Sequence, residues 1–241
     1  MRRRGAALAA AAGLLIFAAG CETTQQESAK IGRHLGHQSA VAGTTRLGAV
    51  NHDVRVDREV LLSAGGQSAV AVELTNTSAT AQVAFPILID VLDAKGRSLY
   101  RNDTAGLEPS LQTLALLPAH ATAWWVDNEV LASAPKSVSA QVGASTATAA
   151  ADIPRISTSG ASASASFPGP HVTVTVSNRS TVAQSQLAVY TVISNGSAVV
   201  GVGRGVVPAL AAGASTQVVV SVVGSIAGHT IALTASPSQL R

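Results

Sequence analysis

Serine, histidine and carboxylate side chains are the groups in this chain whose chemistry could amount to catalysis, and their spacing argues against it. A serine nucleophile needs a histidine base within hydrogen-bond reach, commonly oriented by a carboxylate. Serines abound, but no Gly-x-Ser-x-Gly elbow occurs. His171 and His229 lie beyond Asp152, the last acidic residue, so neither a carboxylate-oriented triad nor a paired-carboxylate site can be assembled there. Earlier in the chain Asp90, Asp93, Asp103 and Glu108 sit beside turn signals, where local hydrogen bonding alone favours Asp. No Asp-x-Asp-x-Asp-Gly spacing suggests calcium. His34 and His37, spaced i, i+3, could share a helical face, but a metal needs a further ligand and none is near. The expectation is therefore no enzyme, no metal and no cofactor.

Trp124 and Trp125 are the most conspicuous side chains of a chain poor in aromatics. Adjacent strand residues face opposite sides of a sheet. One tryptophan can fill a core while the other stands exposed as an anchor for a partner or a sugar. The plainer alternative buries both, one in the core and one under a loop or against a second domain. Asn76, Asn102, Asn178 and Asn195 satisfy Asn-x-Ser/Thr, which reads here as turn chemistry.

The start of the chain fixes where these residues are displayed. Arg2, Arg3 and Arg4 precede an unbroken small and apolar run from Gly5 to Gly20, followed by Cys21, the single cysteine. A basic head, an apolar segment too short to span a bilayer and small residues at the end are the layout of a secretory signal. With three of the 16 Lys and Arg in that signal and no acid, the remaining 221 residues carry 13 charges of each sign. The chain's formal net charge of +3 thus belongs to the export segment, and a nucleic-acid-binding surface is not expected. No second cysteine is available for a disulfide. After the signal no run of about 18 apolar residues appears, so no further span is expected.

Ala18-Ala19-Gly20-Cys21 resembles the lipobox of bacterial lipoproteins, with Ala18 where Leu or Val is usual. That resemblance implies cleavage between Gly20 and Cys21, acylation of the Cys21 thiol (palmitate among the acyl groups), and a membrane anchor facing outside the cytoplasm. An ordinary signal peptide with an incidental cysteine is the alternative. Residues 21–45, polar and rich in Gly, Ser, Thr and Gln, then read as a tether.

From Arg46 the pattern has period two. Val54 to Leu62, Ala69 to Leu74, Val83 to Leu92, Ser98 to Arg101, Leu114 to Pro118, Thr122 to Val126 and Ser137 to Val142 predict roughly seven short strands, with Ala69–Leu74 and Val83–Leu92 successive antiparallel strands. This is the spacing of a β-sandwich. The pattern then repeats: Val70-x-Val72-x-Leu74-x-Asn76-x-Ser78 recurs as Val172-x-Val174-x-Val176-x-Asn178-x-Ser180. Ile87-x-Ile89 recurs as Leu187-x-Val189, and Leu117-Pro-Ala-His-Ala-Thr as Leu210-Ala-Ala-Gly-Ala-Ser. Three blocks in one order imply duplication of a whole module. Between the copies lies an Ala/Ser/Thr linker. The first copy has ten acids and seven bases, while the second carries net +3 from Asp152 onward. The apolar, glycine-rich run Val199–Val207 could offer a face that packs on the first copy or on another protein.

Together these blocks resemble the FxLYD-type and wider Ig-like modules of bacterial surface lipoproteins, with Ile89-Asp90-Val91-Leu92-Asp93 at the defining segment of the first copy and Val189-Tyr190-Thr191-Val192-Ile193 in the second. The family's Phe and Tyr are Ile and Leu in the first copy, and the second keeps neither its Tyr nor its Asp in place. YcfL-like lipoproteins match the first copy nearly as well. The resemblance implies an all-β chain of two tandem Ig-like β-sandwich domains, generally non-catalytic. The expected organisation is signal 1–20, lipidated N-terminus and tether 21–45, sandwich 46–143, linker 144–151 and sandwich 152–241. Two functions fit: an interaction or structural module in the cell envelope with a protein or cell-wall partner, or a glycan or small-ligand binder using Trp124 or Trp125. Cys21→Ser should release the protein from the membrane fraction into the soluble one on cell fractionation; retention in the membrane would refute the anchor.

Overall fold

The computed structural model describes residues 46–145, 147, 153–167, 169–227 and 230–240. The expected signal and tether, with Gly20, Cys21, His34 and His37, lie outside the described residues, as do Asp152, His229 and most of the linker.

Alternating residues become strands along both halves. The first half contains β1 (Val54–Ala64), β2 (Gln67–Asn76), β3 (Gln82–Leu92), β4 (Ser98–Arg101), β5 (Thr113–Leu117), β6 (Thr122–Val130) and β7 (Ser137–Val142). The second contains β8 (Ile156–Ser164), β9 (His171–Asn178), β10 (Gln184–Asn195), β11 (Ala198–Leu210), β12 (Ser215–Gly224) and β13 (Thr230–Ala235). Among the described residues the only helical element is the 3-10 turn Pro109–Leu111. The chain is all-β, with antiparallel sheets packed face to face.

In the first half β1-β2-β6 form one sheet, and β3 pairs with β4, β5 and β7 in the other. Ala69–Leu74 and Val83–Leu92, successive in the chain, lie in different sheets: β2 lies between β1 and β6, and the chain crosses to the opposite sheet before β3. The turn after Asn76 carries it across the sandwich, because both strands need a buried face. In the second half the strands run β13-β10-β11-β12-β9-β8 in one hydrogen-bonded path. β12 pairs with β9 over Ser215–Ser221 and with β11 over Val222–Gly224, so it turns the corner between two sheet portions. Gly203 permits that corner: a Cβ there would lie 2.3 Å from the Ser221 carbonyl oxygen. This close approach accounts for glycine in the Val199–Val207 run.

The duplication is written in the hydrogen bonds. Asn76 Nδ2 donates to the carbonyls of Thr80, Leu117 and Pro118, while its Oδ1 accepts from the Ser78 N–H and hydroxyl. Asn178 does the same with Val182, Leu210, Ala211 and Ser180. Each network ties the end of one sheet to the turn entering β6 or β12, and each Asn is buried. Gln82 faces Leu117 as Gln184 faces Leu210. In this register Phe85 corresponds to Leu187 and Ile87 to Val189, two residues away from the match that the sequence blocks suggest. The slip arises because an aliphatic alternation looks alike at every second position. Ala84 and Gln186, with φ of 48° and 52°, mark the same irregularity in both copies.

The copies differ in the strand that follows β10 and its counterpart β3. β11 runs unbroken beside β10, whereas its counterpart is split into β4 and β5 by an excursion holding the 3-10 turn.

The described residues belong to one compact unit, and a shared core explains why. Trp125, Phe85, Leu74, Ile87 and Ile89 fill the space between the two sheets of the first half. Full burial of each such side chain contributes about 1.5–3 kcal/mol. The other face of β1-β2-β6 is covered as well, since Ala69, Ala71 and Val126 are fully buried. What covers it is β10 and β11: Ala188, Tyr190, Val192 and Val202 join the first half's core cluster, while Leu187 and Val189 point back into the second half. Both faces of β10 are thus apolar, and the two halves share layers.

Asn76→Ala and Asn178→Ala should each cost about 2–4 kcal/mol, because buried carbonyls lose their donors. Denaturant unfolding of each variant should remain a single transition; a separate early transition in Asn178→Ala would mean that the halves do not share a core.

Candidate functional site

Two features lie where the halves meet: a buried ion-pair latch and an open cleft. The latch is built on Arg204, the one charged residue of the Val199–Val207 run. Its side chain is 4 % exposed and reaches Glu108 through Nη2 and Glu129, at 3.2 Å, through Nη1. Nε and Nη2 also donate to the Ser110 hydroxyl at 2.9 and 2.7 Å. The Ser110 carbonyl in turn accepts from Trp125 Nε1 at 2.9 Å and the Tyr190 hydroxyl at 3.1 Å. The excursion between β4 and β5 therefore supplies Glu108 and Ser110, which hold Trp125 of the first half and Arg204 and Tyr190 of the second. A buried guanidinium is tolerated because its donors are met by carboxylate and hydroxyl oxygens.

Beside the latch, Asp127 is fully buried and accepts from the Tyr100 hydroxyl at 2.8 Å and the Glu129 N–H at 2.9 Å. Burial raises its carboxyl above the ordinary 3.8, more than those hydrogen bonds and the Arg204 charge lower it. Burial likewise pushes the Tyr100 and Tyr190 hydroxyls up, so both remain neutral donors. A small pocket of about 390 Å³ adjoins the latch at Glu108 and Tyr190, but Glu108 and the Tyr190 hydroxyl already have partners in it.

The cleft is larger, about 1000 Å³, and takes its walls from both halves. Leu116, Pro118 and Ala123 contribute from the first half, Ile156, Leu233 and Pro237 from the second. The Ser236 hydroxyl donates to the Leu116 carbonyl at 2.6 Å and closes the floor. At the rim stand Arg155 and Arg179, both exposed, on neighbouring chains joined by the Arg179 N–H to Arg155 carbonyl bond of 2.8 Å. In the first copy the equivalent bond joins Thr77 to Asp53, so the charge at this end of the sheet is reversed.

Neither tryptophan lines the cleft. Trp125 is 0 % exposed and belongs to the core. Trp124 is half-buried on the face toward the second half, where its backbone N–H donates to the Thr234 hydroxyl and Arg58 lies 5.6 Å from the ring centroid. Arg58 also donates to the Ser197 carbonyl at 2.8 Å, so the arginine over Trp124 spans both halves. The sequence reasoning missed Arg204, Arg155 and Arg179. For Arg204 a signal existed, a lone charge within an apolar strand. For the other two it was a substitution between copies, Asp53 and Thr77 replaced by Arg155 and Arg179.

One further surface differs between the copies. The outer face of β9 and β12 presents Thr173, Thr175, Ser177, Ser215, Gln217 and Ser221 around the exposed Val219, where the first copy has the covered Ala71 and Val126. No family model matches this chain, and no curated protein matches it.

The Asp127 carboxyl gives a pH dependence of definite sign. With its folded pKa above 3.8, the folded state holds more protons than the unfolded one in the interval above 3.8, so stability falls as pH rises through it. Asp127→Asn should remove that fall: the melting temperature of the variant relative to the parent should increase from pH 4 to pH 7. A constant difference would mean that Asp127 titrates alike in both states.

Proposed function

We propose that this chain is a non-catalytic binding module tethered in the bacterial cell envelope, whose binding site is the cleft between its halves. The observation that carries this reading is that the cleft has walls from both halves, which are locked by a shared core and the Arg204 latch. A concave site with walls that do not move relative to one another needs little ordering on binding. Moorings of this kind suit the lipoprotein features of the N-terminus: cleavage before Cys21, its acylation and a tether over 21–45. The resemblance to FxLYD-type lipoproteins supports the same placement. The glycan-binding alternative built on Trp124 or Trp125 is less favoured, since Trp125 is in the core and Arg58 covers Trp124.

A photo-crosslinking side chain placed at Ala121, inside the cleft, should give an adduct of defined mass in intact cells. The same group at Gln217, on the outer face of β12, should give none. Equal labelling at the two positions, or none at Ala121, would refute the cleft as the site.

A further inference from the structure

We infer that the cleft takes a small anionic amphiphile, with Arg155 and Arg179 holding a carboxylate or phosphate head and the apolar walls receiving its hydrocarbon tail; this rests on the cleft being the binding site and adds the ligand's chemistry.

Arg97 pairs with Asp93, Arg101 with Asp103, Arg55 with Asp57, and Arg204 with Glu108 and Glu129, while Arg58 donates to the Ser197 carbonyl and lies over Trp124. Arg46, away from the cleft lining, is the other described arginine without a side-chain partner. Among the described residues Arg155 and Arg179 make no side-chain ion pair or hydrogen bond, and no acid lines the cleft. Their backbones are hydrogen-bonded neighbours, which sets two like charges side by side. Such a pair is unfavourable until an anion lies between or across it. A guanidinium fork matches carboxylate and phosphate oxygens in geometry as well as charge. Thr122, Ser157 and Thr158 add hydroxyls to the same lining, and hydroxyls can serve an oxyanion as donors.

The walls decide the rest of the ligand. On the first-half side Ala121 and Ala123 face the cleft above the buried Leu116 and Leu117, and on the other Ile153, Ile156 and Leu233 do. These would gain nothing from a hydrated ion alone but do gain from covering apolar surface. A volume of about 1000 Å³ is at the upper end of small-ligand sites, ample for a medium hydrocarbon chain with its head. In the first copy the corresponding end of the sheet carries Asp53, which accepts from Gln82, so the feature belongs to the junction and not to the repeat.

The test is titration calorimetry on the full chain carrying Cys21→Ser, so that no acyl group of its own competes. Decanoate, decyl phosphate, decyl glucoside and inorganic phosphate serve as probes below their micellar concentrations. Decanoate or decyl phosphate should bind at one site, whichever is tighter identifying a fatty-acid or a phospholipid-type head. Inorganic phosphate should bind about 100-fold more weakly for want of a tail, and decyl glucoside about 10-fold more weakly for want of a charge. The double variant Arg155→Gln/Arg179→Gln should bring the anionic amphiphile down to the glucoside level and leave glucoside unchanged. Added salt should weaken decanoate and not glucoside in the parent, which gives the same answer without a substitution. Equal affinity for phosphate and decyl phosphate, or no loss in the double variant, would overturn the amphiphile. Absence of binding by all four probes would overturn the ligand class, while the adduct at Ala121 would still report whether the cleft is occupied.

Discussion

The rest of the structure depends on the covering of one sheet face. β2 and β6 bury residues on both sides, Val70, Val72 and Trp125 toward β3, and Ala69, Ala71 and Val126 toward β10 and β11. A sheet apolar on both faces cannot stand at a surface, so the second half is drawn onto it by the same hydrophobic term that closes the first. Arg204 adds orientation to this contact. Its fork engages Glu108, Glu129 and Ser110 at once, which only one placement of the two halves can satisfy. The apolar layer supplies adhesion and the guanidinium supplies register.

Duplication followed by divergence explains how that arrangement could arise from a single module. The Asn76 and Asn178 networks are the retained scaffold, identical in donors and acceptors. Around them the copies have separated in chemistry. The outer face of β1-β2-β6 is apolar and covered, while that of β9 and β12 carries mostly hydroxyls, with Val219 among them, and is exposed. Such packing is head to tail, and a face left apolar at its end would invite further copies. The hydroxyl-bearing strands end the stack. The excursion between β4 and β5 has no counterpart in β11, and it is the part that delivers Glu108 and Ser110 to the junction.

Much of this was legible in the chain. The strands of the first half, the two turn asparagines and the repeated Leu-containing block were readable because side-chain alternation and turn chemistry are local. Even the buried outer face leaves a trace: Ala69-Val70-Ala71-Val72 is apolar at every position, while His171-Val172-Thr173-Val174 alternates. The register of β10 against its counterpart was not readable, since Leu187, Val189 and their neighbours offer the same alternation at each step of two. The fate of the tryptophans was also undecided, because adjacency on a strand gives opposite faces without saying what lies beyond either.

By itself the sequence determined the all-β class, the copying of a module, the lack of spacing for a triad or a calcium loop, and a basic then apolar start followed by the one cysteine. These follow from residue types and short spacings, which act over a few positions. Only the tertiary structure decided that Arg204 is buried between two acids, that Trp125 is core, and that Arg155 and Arg179 flank an apolar cleft. Those facts join residues far apart in the chain, and the free energy that joins them comes from surfaces buried together, a property of no single segment.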